Sequence, residues 1–172
     1  AQARDALAAD FRFRAYDDSV LVTAKMLTET RDASVDLLRR ALVEPSFEQA
    51  AVDRVRQQVL SSIRSDAQDP NAIASDRFDA MAFGDHPYGS NPDGTVDSVT
   101  ALTRADILAA HAGALARDRV SVGVAGDISA EALGPLLDTL LGGLPETGPP
   151  PPQPGTPQLT GGAPGVELAV PP

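Results

Sequence analysis

Residues 81–107, MAFGDHPYGSNPDGTVDSVTALTRADI, constrain this chain more than any other stretch. A helix end carries Met81 and Phe83. A connector follows, with Gly84, His86-Pro87-Tyr88-Gly89, Asn91-Pro92 and Asp93-Gly94. Proline fixes φ and removes a backbone donor, and glycine opens the left-handed region. At this density they stop the helices on both sides and set an ordered connector. A new helix starts at Thr103, with Asp106 three residues on in the capping pattern.

The elements on either side follow from periodicity. Residues 1–9 are Ala-rich and favour a helix. Residues 11–16, FRFRAY, alternate apolar and charged side chains as a half-buried strand does. Residues 19–27 follow across Asp17-Asp18, so the two form an antiparallel hairpin. A Phe-Arg-Phe-Arg strand also suits a peptide-binding edge, but an ordinary sheet strand is the expectation. Residues 30–43 carry Val35, Leu38 and Leu42 on one helical face, with Asp32 near the N-terminus where the helix dipole favours it. Pro45 stops that helix, and Ser46 is expected to cap the next, residues 47–67, with Val52, Val55, Val59 and Ile63 as its apolar stripe. Asp69-Pro70-Asn71 breaks it. The third helix, residues 71–83, is expected to turn Ile73, Phe78, Met81 and Ala82 inward. A helix over 103–115 precedes residues 119–125, continuous and β-branched enough for a buried strand. Ser129 caps a last helix, residues 130–141, interrupted by Gly134-Pro135.

Composition narrows the function. At 42% hydrophobic and 172 residues the chain can bury one core, and with 4% aromatic residues and no Trp that core is Ala, Leu and Val. A net charge of −10, with Lys25 the single lysine and the arginines scattered, argues against nucleic-acid binding, which needs clustered cations. Without cysteine there are no disulfides, zinc fingers or thiol nucleophiles, and the redox compartment stays open. No apolar run approaches the roughly 20 residues that span a bilayer. These residues contain no signal peptide and no initiator methionine, so Ala1 is not expected to be the natural N-terminus. From Gly143 onward lie ten of the 15 prolines, including Pro149 to Pro152. That composition suits a stiff spacer, although polyproline also docks on aromatic grooves. Phosphate loops, EF-hands and internal repeats are absent.

The motifs carry a resemblance. FGDHPYG, then Gly94-Thr95, then Ser98-Val-x-x-Leu-Thr-x-x-Asp106-Ile107 is similar to the pitrilysin/insulinase family of zinc metallopeptidases. The branch it most resembles contains bacterial two-domain peptidases and the mitochondrial processing peptidase. Val120-Ser-Val-Gly-Val-Ala-Gly-Asp127 looks like that family's buried strand, ending at Gly126 and Asp127. The resemblance spans residues 6–144. It implies an α+β fold, an antiparallel sheet packed with helices as a two-layer sandwich. Residues 1–142 would be the later part of one such domain, 143–165 a Pro/Gly-rich linker, and 166–172 the first strand of a following domain.

The resemblance also says where chemistry should lie. The family's enzymes hold zinc through His-x-x-Glu-His on one helix and a distal Glu on a later one, with the motif Glu as general base. This sequence has no such motif; in the family it precedes the hairpin, hence residue 1. The distal-Glu region is present. Counting back from the His86 turn without a gap reaches Ser62, within Val59-Leu-Ser-Ser-Ile-Arg-Ser-Asp66, where relatives are Glu-rich. A neutral hydroxyl is a poor zinc ligand. A slip of one turn, ~5.4 Å, would offer Asp66 as a substitute. His86, Pro87, Tyr88 and Gly89 are expected to be a structural turn, despite Asp85 beside His86, and His111 a core-edge histidine. Ser61, Ser62 and the histidines lack any nucleophile elbow.

The resemblance therefore implies no catalytic or metal ligand in this chain, with zinc held by an active partner or relative. The expected role is a zinc-free subunit that helps form a peptide-binding chamber beside a homologous active subunit, or in a homodimer, with peptide as substrate. The alternatives are an active zinc endopeptidase whose motif lies before residue 1, and a structural subunit like the core subunits of a respiratory complex. Lys-poor, Ala/Arg/Asp-rich usage suggests a high-GC bacterium, and bacterial relatives imply the periplasm or cell envelope.

Overall fold

The alternation over residues 11–27 becomes a hairpin. In the computed structural model, which describes residues 2–150, β1 (Asp10–Ala15) pairs antiparallel with β2 (Val20–Lys25) in the register Asp10 with Lys25 through Ala15 with Val20. Tyr16 N–H donates to the Ser19 carbonyl at 2.8 Å and closes the turn. Most of its side chains are exposed, with Phe13, Tyr16, Val20 and Leu21 each about half open to solvent. The fold is α+β, a helical chain with this two-stranded sheet.

The chain separates into two compact units, Ala1–Ser46 with Ile107–Pro150, and the segment Phe47–Asp106 between them. In the first, α1 (Gln2–Ala6) and the hairpin precede α2 (Arg31–Val43). Thr30 does not cap α2 with its side chain; its Oγ1 donates to the Leu7 carbonyl at 2.9 Å and ties the end of α1 to the start of α2. Val35, Leu38 and Leu42 are buried as the spacing predicts, and Ser34 joins them. The Ser34 hydroxyl is fully buried without a hydrogen-bond partner, which costs about 1–3 kcal/mol. Helix α2 packs against α7 (Ala130–Leu141). Ser129 Oγ accepts from Ala132 N–H at 3.3 Å and caps α7, which runs unbroken through Gly134-Pro135 rather than being interrupted there. Pro135 is the sixth of its twelve residues, past the first turn where proline is best tolerated, so α7 continues there without an N–H for the Glu131 carbonyl and with the proline ring crowding it.

The strand expected over residues 119–125 is a correction. Residues 117–119 form a single 3-10 turn, and no ladder follows; Val122 and Val124 are about half exposed. A β-branched run becomes a strand only where a neighbour takes its backbone N–H and C=O groups, and among the described residues none does.

In the second unit, α3 (Gln49–Asp66) starts later than expected. Ser46 is not its cap. Phe47 sits at φ 38°, and the first bonds run from Ala51 and Val52 to the Glu48 carbonyl. The buried stripe is Val52 and Leu60, with Val59 and Ile63 half-buried, while Val55 is half exposed. Against α3 packs α5 (Val96–Ala101), a helix the turn-rich reading of the connector does not contain. Thr95 and Ser98 form a reciprocal capping box at its start, and Val99 is buried. Arg56 donates to the Leu102 carbonyl at 2.7 Å, and Arg104 to the Phe47 carbonyl at 2.9 Å. Helix α6 (Arg104–Ala114) crosses from this unit into the first; Thr103 and Asp106 cap it reciprocally at 2.8 and 3.3 Å.

Helix α4 (Pro70–Phe83) has Asp69 as its cap, accepting from Asn71 N–H at 2.9 Å, and Pro70 in the first turn. It buries no residue fully. Ile73, Met81 and Ala82 are half-buried, but Phe78 is 67% exposed and does not face inward. Five residues at 3.6 per turn put Phe78 about 140° round the helix from Ile73.

Candidate functional site

Helix α3 places Ser62 and Asp66 one turn apart on the same face. Ser62 Oγ donates to Asp66 Oδ2 at 3.4 Å, so the expected distal-ligand position and its one-turn alternative bond to each other. Ser62 is exposed and Asp66 half-buried. Among the described residues, no three His, Asp or Glu side chains converge as a metal ion requires. A hydroxyl and one carboxylate do not fit zinc, which takes three or four N, S or O ligands in tetrahedral array. Ser62 and Asp66 alone therefore do not make a zinc site.

The His86 turn is built by packing. Helix α4 ends at Phe83, and Gly84 adopts φ 56°, a conformation that suits glycine. Pro87–Gly89 form one 3-10 turn. His86 Nδ1 accepts from Tyr88 N–H at 3.2 Å, and Gly89 N–H donates to the His86 carbonyl at 2.8 Å. The rings of Phe83 and Tyr88 meet edge to face at 5.7 Å, and those of His86 and Tyr88 at 4.6 Å. With Nδ1 accepting a backbone proton and the ring among aromatics, His86 acts as the cap of a turn. Gly89 lies so close to Gly84 that a Cβ there would stand 2.3 Å from the Gly84 carbonyl oxygen.

The sequence shows the connector's turns but not its tether. Asn91 Nδ2 donates to both Asp76 carboxylate oxygens at 3.1 and 3.0 Å, linking the connector to α4, while its Oδ1 accepts from Asp93 N–H at 2.9 Å. Asn-Pro-Asp-Gly signals a turn; nothing local signals a partner fifteen residues upstream.

The remaining candidates disperse. His111 is half-buried on α6. Gly126 and Asp127 do not end a buried strand: both are exposed, Gly126 has φ 146°, and Ile128 N–H bonds back to the Gly126 carbonyl at 3.0 Å. No helix among the described residues is long and apolar enough to cross a membrane.

No protein-family model matches the chain. It is 29% identical over 137 residues to an uncharacterized zinc protease of Mycobacterium leprae, covering 80% of this chain and 31% of that protein. Identity is 30% over 131 residues to a probable mitochondrial-processing peptidase subunit beta of Schizosaccharomyces pombe, covering 76% and 27%. A non-peptidase homolog of Helicobacter pylori is 22% identical over 129 residues, covering 75% and 30%. Among solved structures, a peptidase M16 inactive domain from Pseudomonas fluorescens superposes with a TM-score of 0.85 at 27% identity, over 91% of this chain and 38% of that one. The chain thus spans about a third of the length of the curated relatives it matches.

Proposed function

The chain belongs to the pitrilysin/insulinase (M16) peptidase family, and from that premise we propose that it is part of a zinc-free member. In this reading it helps wall a peptide-binding chamber beside an active, zinc-bearing homologue. The observation that carries the reading is the Ser62–Asp66 bond, at the place where the count from the His86 turn expects a distal carboxylate, with no converging set of metal donors among the described residues. The likeness to an M16 inactive domain and to a non-peptidase homolog supports it. A hydroxyl cannot supply the negative charge that a carboxylate brings to a zinc ion. The His86 turn serves the wall by shape, holding α4 and the connector in place.

The test is reconstitution. The natural gene product alone should not cleave an unstructured peptide, and should raise cleavage when mixed with a homologous subunit that carries the zinc motif. Cleavage by this chain alone, abolished by a chelator, would overturn the proposal and favour the enzymatic reading that the relatives named zinc protease suggest. We further propose that the protein works in the bacterial periplasm or cell envelope, which cell fractionation tests directly.

A further inference from the structure

Helix α7 ends at Leu141, yet the chain does not leave the first unit there. Gly143 passes α2 so closely that a Cβ on it would sit 2.7 Å from Val43 Cγ1. Leu144 is buried, as is Ala116. The backbone then meets the 3-10 turn Arg117–Arg119: Arg117 N–H donates to the Pro145 carbonyl at 2.9 Å and Asp118 N–H to the Glu146 carbonyl at 3.1 Å. Side chains close the contact. Arg117 Nη2 pairs with Glu146 Oε1 at 2.9 Å. The Asp118 carboxylate accepts from Gly148 N–H at 3.3 and 3.4 Å. Arg119 Nε bonds Asp118 at 3.2 Å, its Nη2 donates to the Pro149 carbonyl at 2.9 Å, and its Nη1 reaches the Gly113 carbonyl on α6 at 3.4 Å. Gly148 has no side chain where Arg119 lies: a Cβ there would stand 2.6 Å from Arg119 Cζ.

We infer that residues 144–149 are a clasp that fixes the point from which the proline-rich run starts, beside the Arg117–Arg119 turn instead of at the end of α7. A proline-rich spacer transmits orientation only if its root is held. Seven free residues between α7 and Pro149 would let that root wander by about 15 Å, on the scaling of flexible chains. The clasp removes that freedom, and does so with charges and backbone bonds more than with apolar area. It is a positioning device independent of whether the protein binds zinc.

Amide hydrogen exchange on the whole chain tests it. Gly148, Arg117 and Asp118 N–H should be protected in the wild type. Asp118→Asn and Arg119→Ala should each lower protection at Gly148 at least about tenfold, the scale of one charge-assisted hydrogen bond, with α2 and α7 unchanged. Gly148→Ala should do the same by displacing the guanidinium. Coil-like exchange at Gly148 in the wild type, or unchanged protection in Asp118→Asn, overturns the inference. Should Arg119→Ala also loosen α2 and α7, the isosteric Asp118→Asn decides alone.

Discussion

Gly89→Ala puts the His86 turn under the most direct stress. The added Cβ would meet the Gly84 carbonyl oxygen at 2.3 Å and its carbon at 3.3 Å. An unstrained carbon-to-oxygen approach is about 3.3–3.6 Å, so the overlap is about 1 Å. The obstacle is backbone and cannot swing aside like a side chain. The turn is held from within by Gly89 N–H on the His86 carbonyl at 2.8 Å and Ser90 Oγ on the Pro87 carbonyl at 2.7 Å. It must therefore open, and overpacking of this kind costs about 1–3 kcal/mol. For a chain of this size each kcal/mol moves Tm by roughly 2–4 °C, so thermal unfolding followed by circular dichroism should show a fall of roughly 2–12 °C. Gly84→Ala meets no atom within 4 Å, but its φ of 56° taxes any side chain, by roughly 1–2 kcal/mol. Both changes strain the same turn, so the double variant should lose less than the sum. A Gly89→Ala protein that melts with the wild type, its Gly89 N–H still protected from exchange, would refute the close approach and the structural role argued for the turn.

Three further outcomes follow from particular residues. Leu38→Ala, at 3% exposure, should cost about 2–5 kcal/mol in denaturant unfolding, whereas Phe78→Ala, at 67% exposure, should stay within about 0.5 kcal/mol. Thr103 holds the Asp106 carboxyl below its usual range through its hydroxyl and then its backbone N–H, against a small opposing effect of burial. A lowered folded pKa gives stability that is present above the unfolded value of about 3.9 and is lost as pH falls through the folded one. Exchange protection at Thr103 N–H should therefore fade in acid, and Asp106→Asn should flatten that acid limb. His86→Ala removes the acceptor for Tyr88 N–H and should cost about 0.5–2 kcal/mol by the same unfolding assay, the range of a lost cap.

The helices were legible where one short-range rule settles them. Val35, Leu38 and Leu42 share a face at α spacing, Ser129 starts a helix by local chemistry, and Asp69-Pro70-Asn71, read as a break, marks the boundary between two helices although Asp69 is in fact the cap of the second. The misses lie where tertiary context decides. Helix α5 hides in a Pro- and Gly-rich connector, and its capping box uses Ser98 in place of the usual Glu or Gln. Val55 fits an apolar stripe as well as Leu60 does, and periodicity alone does not choose between them. Residues 119–125 have strand composition, but a ladder is a property of two strands. For the site, counting from the His86 turn reaches Ser62, and the structure adds that its nearest carboxylate, Asp66, is already its hydrogen-bond partner. The Gly84–Gly89 approach and the Arg119 clasp were not legible, because both depend on backbone paths that composition does not encode.

Zinc stoichiometry of the natural gene product, purified alone and then with a homologous peptidase subunit, decides between a zinc-free member and an active peptidase. No stoichiometric zinc is expected on the protein alone, and about one zinc per complex with the partner. About one zinc per chain on the protein alone would contradict it, and would make Asp66 or another carboxylate the ligand to seek in place of Ser62.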